Sequence, residues 1–186
     1  TFHTVFMNPE TGDFDRGETC QGYRDDSSWT RGQAWAVYGT ALGYRYTGDA
    51  AYLDAFHRVL AYYLTRLPGD LVPYWDLIFT EGDNETRDSS SASIVSCGLL
   101  EMARLGPPGE AEIYRTLARQ MMHSLWMDYS VRDPRISNGQ VLHGTYSKKS
   151  PYNTCTPEGV DECVAWGDYF YMEALTRLAT EWDPYW

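Results

Sequence analysis

Positive charge is scarce in this chain. Its 186 residues carry 15 Lys and Arg against 26 Asp and Glu, a formal net charge of −11. That balance argues against nucleic acid as a partner, because phosphate binding needs a basic face. An anionic ligand would have to be held by a few local cations. Cysteine is sparse as well. Cys20, Cys97, Cys155 and Cys163 include no C-x-x-C pair, which leaves little room for a zinc site. Cys97 lies in SIVSCGLLEM and reads as a small core residue; Cys155 and Cys163 share a loop region and are candidates for a disulfide. No apolar run reaches the roughly 18 residues of a helical membrane span. The opening TFHTVFMNPETG is neither basic nor apolar enough for a secretory leader. G-x-G-x-x-G, the phosphate-binding P-loop, G-x-S-x-G and H-E-x-x-H are all missing, so nothing points to a nucleotide, an esterase nucleophile or a catalytic metal.

Aromatic residues, by contrast, are plentiful: 7 Trp, 15 Tyr and 6 Phe in a chain that is 43% hydrophobic. The length suits one domain of ordinary size with a real core. Such aromatic wealth serves either a large core or stacking surfaces for flat and sugar-like ligands.

Hydrophobic spacing predicts five helices and almost no sheet. The first runs from Trp29 to Tyr46, capped by Asp26 or Ser27 and closed by Gly48. A second starts after Asp49 with the stripe Leu53, Phe56, Leu60, Leu64 and Leu67, and stops at PGD. A third follows Asp88, read as its N-cap, and a fourth begins near Gly109. The fifth covers about 161–181. TFHTVF is the best short strand candidate.

Short and long connections alternate. TGD and GPPG are turns, whereas 68–88 and 128–160 are long. Consecutive antiparallel helices then place both turns at one end and both long loops at the other. Segments 1–30, 68–88 and 128–160 should therefore gather on one face, the layout of a helical-hairpin toroid with one plain end and one site-bearing end. Long loops in compact domains are commonly functional. Five helices make only two and a half hairpins, fewer than a closed toroid needs, so the chain reads as part of a longer protein.

At the loop-rich end, SSWTRGQAW sets Trp29, Arg31 and Trp35 within two helical turns. A guanidinium fork holds a carboxylate through paired charge-assisted hydrogen bonds, and indole faces suit a sugar ring. The plainer alternative pairs Arg31 with Asp25 or Asp26 and buries both indoles. Asp76 serves either as a ligand contact or as a loop brace. Lys148 and Lys149 form a local basic spot, fit for a sulfate or carboxylate or else simply solvated. Asp168 reads as a packing and hydrogen-bonding unit of the last helix.

Four separated stretches, DDSSWTRGQAWAVYGTALGYRYTGD, VPYWD, DSSSASIVSCGLLEM and GVDECVAWGDYFYMEAL, together resemble unsaturated glucuronyl hydrolase (glycoside hydrolase family 88), in the family's order and over nearly the whole chain. The resemblance implies an all-α fold, an (α/α)6 barrel of six helical hairpins. Residues 1–186 would be the C-terminal half of that single catalytic domain, with the N-terminal half outside the chain. It implies an oligosaccharide substrate ending in a 4,5-unsaturated uronic acid, no cofactor and no metal. It also implies hydration of the enol-ether double bond by aspartates that would lie upstream of Thr1, so no catalytic residue is assigned here. By the same resemblance, His3, Gln21 and Arg31 contact carboxylate and hydroxyl groups, while Trp29 and Trp35 stack on the sugar. Ser147 and Ser150 match a pair that meets a sulfated neighbouring sugar in some members, where those members carry a lysine in place of Tyr152. The resemblance favours a cytoplasmic location, although the sequence itself carries no address. The isolated chain is expected to be inactive and poorly folded, because an open ring exposes helix faces. An unsaturated rhamnogalacturonyl hydrolase and a non-catalytic helical sugar-binding remnant are the alternatives.

Overall fold

The computed structural model describes residues 2–184. A β-hairpin, β1 (Thr4–Met7) and β2 (Phe14–Glu18), precedes five helices: α1 (Thr30–Thr47), α2 (Ala50–Thr65), α3 (Ser89–Leu105), α4 (Ala111–Ser124) and α5 (Ala165–Ala179). α4 runs on into one π-helical turn, Leu125–Tyr129. The helices fall where the apolar spacing placed them, with ends shifted by a few residues. The hairpin corrects the expectation of a single short strand: β1 pairs antiparallel with β2, Thr4 opposite Glu18, with an irregularity between Phe6 and Met7.

Two expected caps are corrected. α1 begins after Trp29, and no side chain caps it. Asp26 and Ser27 sit too far upstream. The Thr30 N–H instead donates to the Trp75 carbonyl at 3.2 Å, so loop backbone does the work of a cap. Asp88 does hold the N-cap position of α3, yet its carboxylate makes no capping bond. Asp49 is a conventional cap, accepting from the Ala51 N–H at 2.9 Å. α1 ends as expected on Gly48, whose φ of 67° is the left-handed conformation that glycine adopts without steric cost.

α1, α3 and α5 lie side by side in one layer; α2 backs α1, and α4 backs α3. Helix α3, in the middle, is buried at every position from Ser89 to Ala103. Its run of Ser, Ala, Gly and Cys explains how neighbours on both sides come so close. A Cβ on Gly98 would meet the Tyr38 Cα at 3.1 Å. Phe56, Tyr63, Ile94, Leu99, Met102, Met121 and Leu125 fill the space between the layers.

At the C-terminal ends of the inner helices an ion network joins all three. Glu101 of α3, fully buried, accepts from Arg45 of α1 at 2.6 Å and from Arg177 of α5 at 2.5 Å. Arg177 also donates to Glu173 at 2.8 Å and to the Tyr38 hydroxyl at 2.8 Å. Tyr38 donates to the same Glu173 oxygen at 2.6 Å. The outer margins are less covered. Trp35, Tyr169 and Met172 on the inner helices, and Phe2, Val5, Met7 and Phe14 around the hairpin, are exposed.

Candidate functional site

The three long segments meet at the N-terminal ends of α1, α3 and α5. Backbone pairing zips them together. Residues 74–77 lie along the start of α1: Thr30 Oγ1 donates to the Tyr74 carbonyl at 2.6 Å and the Leu77 N–H to Ser28 at 2.9 Å. Residues 142–145 lie along the start of α3: the Ser89 N–H donates to His143 at 3.1 Å and Thr145 Oγ1 to the Arg87 carbonyl at 2.7 Å. Residues 146–153 close the circuit onto 21–23. Gln21 Nε2 donates to the Tyr146 carbonyl at 3.0 Å, Ser150 Oγ to Tyr23 at 2.6 Å, and Asn153 Nδ2 to Gly22 at 2.8 Å.

Asp76 is a hub of this arrangement. It is fully buried and accepts from the Tyr23 N–H at 2.8 Å, the Ser27 hydroxyl at 2.7 Å and the Ile78 N–H at 3.0 Å. Of the two roles open to it, the structure supports the loop brace. Asp168 accepts from the Gln140 and Val141 N–H groups at 2.9 and 3.0 Å, tying the last loop to α5 as its expected packing role required.

Arg31 stands at the centre and is 2% exposed. Its Nη1 donates to Asp88 at 2.8 Å and to the Thr145 carbonyl at 2.8 Å, and its Nη2 donates to the Tyr146 carbonyl at 2.5 Å. The guanidinium lies 4.7 Å from the Trp29 ring and 5.1 Å from the Trp166 ring. Neither Asp25 nor Asp26 is its partner; Asp88, 57 residues away, is. This changes what Arg31 does. With three donor bonds already made to protein, it is a clamp holding α1, α3 and the 145–146 segment together. Its charge remains at the site, balanced by Asp88 and bracketed by indoles, where cation–π attraction in a dry setting is worth about 2 kcal/mol.

His3 stacks on Trp29 at 4.4 Å between ring centroids and 21° between planes. Its Nδ1 accepts from the Cys20 and Gln21 N–H groups at 3.2 and 3.3 Å. Backbone N–H groups only donate, so Nδ1 is unprotonated and the neutral ring carries its proton on Nε2. Burial, and after it the nearby Arg31 charge, lowers the His3 pKa below its ordinary 6.5. The result is a neutral imidazole offering one N–H donor beside an indole face. Trp29 itself is 9% exposed. His3, Gln21, Trp29 and Arg31 thus form one contiguous group.

The other expected contacts stand apart. Trp35, one turn further along α1, packs edge-on against Phe170 at 5.2 Å and is 37% exposed. Ser150 is corrected. Its hydroxyl donates to Tyr23 and accepts from the Tyr152 and Asn153 N–H groups, both at 3.1 Å. One donor and two lone pairs are all a hydroxyl has, so Ser150 has nothing left for a ligand. Ser147 is also buried, against the Cys155 thiol. Half of the basic spot is neutralised: Lys148 pairs with Glu85 at 2.5 Å, whereas Lys149 keeps its charge and donates to the Asn153 carbonyl at 3.2 Å. The disulfide candidate is corrected too, since Cys155 and Cys163 are both free thiols and Cys163 lies instead against Ser137 at 3.2 Å.

Trp166 and Tyr146 were not expected at the site. Tyr146 lies 5.5 Å from Trp166 and 5.9 Å from the Arg31 guanidinium. The i, i+4 spacing of Trp166 and Phe170 marked one aromatic face on α5, but nothing in the sequence said which arginine it would cover.

A layer of helical hairpins with all its long loops at one end, meeting around an arginine sandwiched by indoles, is the arrangement of half an (α/α)6 barrel. No family model matches the chain. Individual relatives do. The unsaturated chondroitin disaccharide hydrolase of Streptococcus pyogenes serotype M1 is 43% identical over 187 residues, covering 100% of this chain and 45% of that protein. The unsaturated glucuronyl hydrolase of Bacillus sp. strain GL1 is 38% identical over 188 residues, covering 100% of this chain and 48% of its own. Among solved structures, unsaturated glucuronyl hydrolase from Streptococcus agalactiae superposes with a TM-score of 0.90 at 43% identity, over all of this chain and 46% of that one. A mutant of that enzyme has been solved in complex with dGlcA-GalNAc6S. The chain belongs to the unsaturated glucuronyl hydrolase family and corresponds to its C-terminal half, spanning about half the length of the relatives it matches.

Proposed function

We propose that this chain forms one wall of a site that binds the unsaturated uronic acid at the non-reducing end of a lyase-generated oligosaccharide. The other wall, with the catalytic aspartates, comes from the remaining half of the barrel. The reaction adds a proton to C4 of the enol ether and water to C5; the resulting hemiketal opens and the glycosidic bond is released. Protonating carbon requires a carboxylic acid that keeps its proton near working pH. Within this chain, His3 donates from Nε2, Gln21 offers its side-chain carbonyl, and Trp29, stacked between His3 and Arg31, presents its ring edge to the sugar. Arg31 supplies positive potential toward the uronate carboxylate while bracing the loops, and Trp35 extends the aromatic surface. The names of the relatives favour the glucuronyl and chondroitin-type substrate over a rhamnogalacturonyl one.

The observation that carries this reading is the His3–Trp29–Arg31–Trp166 stack, built from three chain segments that converge at the loop end. Titration with unsaturated chondroitin disaccharide, followed by tryptophan emission, tests it. A saturable change with that sugar and a weaker one with its saturated counterpart is expected. Equal responses to both would overturn it. For catalysis, the chain alone should leave the enol-ether absorbance unchanged, and mixing it with the N-terminal half of a relative should make that absorbance decay.

A further inference from the structure

Two of the four cysteines are neighbours across the seam where residues 146–155 lie along residues 20–23. The Cys155 thiol donates to the Cys20 carbonyl at 2.8 Å. Standard backbone dimensions then put the Cys155 sulfur within about 6 Å of the Cys20 Cβ. The seam is already in register without a covalent bond: Gln21 to Tyr146, Gly22 to Asn153 and Tyr23 to Ser150 are each hydrogen-bonded. Joining the sulfurs therefore asks for side-chain rotation and little backbone movement, the condition a disulfide demands. Cys20 is exposed and Cys155 half-buried, so a small oxidant reaches the first and not readily the second. The remaining thiols do not compete. Cys97 is fully buried in α3, and Cys163 accepts from the Ser137 hydroxyl at 3.2 Å.

We propose that Cys20 and Cys155 form a reversible modification site, a dithiol that small-molecule disulfides such as oxidised glutathione convert to an intramolecular disulfide. The Cys20 thiolate attacks one sulfur of oxidised glutathione, forming a mixed disulfide and expelling one glutathione thiolate. The Cys155 thiolate then attacks the Cys20 sulfur and expels the second. Two protein thiols are oxidised, one small disulfide is reduced to two thiols, and the protons lost from the cysteines end on the glutathione released. Burial and the neighbouring Cys20 raise the Cys155 thiol pKa, against the lowering effects of the Ser147 hydroxyl and of Lys149, so its attack on the Cys20 sulfur quickens at alkaline pH. Closing the bond staples the segment that carries Gln21, and whose N–H groups hold His3, to the loop that carries Tyr146. The inference stands independently of the proposed substrate.

The full chain incubated with excess oxidised glutathione, alkylated and mapped by mass spectrometry tests this. The expected product is a Cys20–Cys155 cross-linked peptide that dithiothreitol reverses, with Cys163 still alkylated and Cys97 alkylated only after unfolding. The Cys155→Ser variant should stop at glutathione on Cys20. The Cys20→Ser variant should react at least tenfold more slowly than wild type, because its half-buried thiol is left to meet the oxidant alone. Circular dichroism confirms that each variant is folded, and the wild-type result stands without them. Stable glutathione on both cysteines, a Cys155–Cys163 bond or a bond only between chains would overturn the proposal.

Discussion

The two ends of the inner helix layer each carry a buried arginine, and they use it differently. At the plain end, Arg177 is held by two carboxylates, Glu101 and Glu173, and a tyrosine. At the loop end, Arg31 has one carboxylate, two backbone carbonyls and two indole faces. The first arrangement joins helix to helix through side chains and saturates the cation. The second joins helices to loops, and leaves the cation opposed by fewer anions beside a half-exposed imidazole. The arginine with a single carboxylate lies beside aromatic faces at the end where an acidic sugar is proposed to bind; the one held by two carboxylates only ties helices together.

Breaking the plain end should cost the most. Glu101→Ala removes the carboxylate that Arg45 and Arg177 share, leaving buried charge unpaired, and should lower stability by about 3–5 kcal/mol. Urea unfolding reads this as a lower midpoint with an unchanged slope. A loss below about 1 kcal/mol would mean that the network is solvated and the contrast between the ends is false.

Asp88→Asn at the loop end should cost less stability, about 1–3 kcal/mol, because the amide keeps the shape and one acceptor. Its main effect should fall on ligand. Disaccharide affinity should drop about tenfold or more as Arg31 loses its anchor, measured by the fluorescence titration. Unchanged affinity would show that Arg31 needs no positioning.

His3→Phe keeps the stack on Trp29 but removes the acceptor of the Cys20 and Gln21 N–H groups and the Nε2 donor. We expect several-fold weaker binding. The wild type should also show an acid limb that the variant lacks. A histidine with a lowered pKa contributes fully above 6.5, where it is neutral folded and unfolded alike. As pH falls below 6.5 the unfolded chain takes up its proton first, and the contribution is lost through the folded value. Thermal melts and titrations from pH 7.5 downward check both. Trp35→Phe should have the smallest effect, about 1 kcal/mol or less in stability, since its edge contact with Phe170 leaves much of the ring in solvent.

Much of this was legible in the chain itself. The stripe from Leu53 to Leu64 gave α2, and a third helix was legible after Asp88, though its burial on every side was not. The alternation of TGD and GPPG with two long links is enough to gather the loops at one end. Asp88 was less legible. A carboxylate just before a helix has a local explanation as a cap, and the longer-range bond to Arg31 cannot compete for attention in a linear pattern. Ser150 misled for a similar reason: its hydroxyl is polar in sequence, yet its hydrogen-bonding capacity is filled by groups from its own turn and from Tyr23.

By itself the sequence determined helix positions, the plain and loop-bearing ends, and the presence of an arginine and two indoles near one helix start, because hydrophobic period and turn chemistry act over a few residues. Tertiary structure alone decided that Arg31 is consumed as a clamp on Asp88, that Trp166 covers it, and that Lys148 is neutralised by Glu85. Those pairings span 57, 135 and 63 residues, and close-range charge and stacking depend on distances that only the packed helices and zipped loops set.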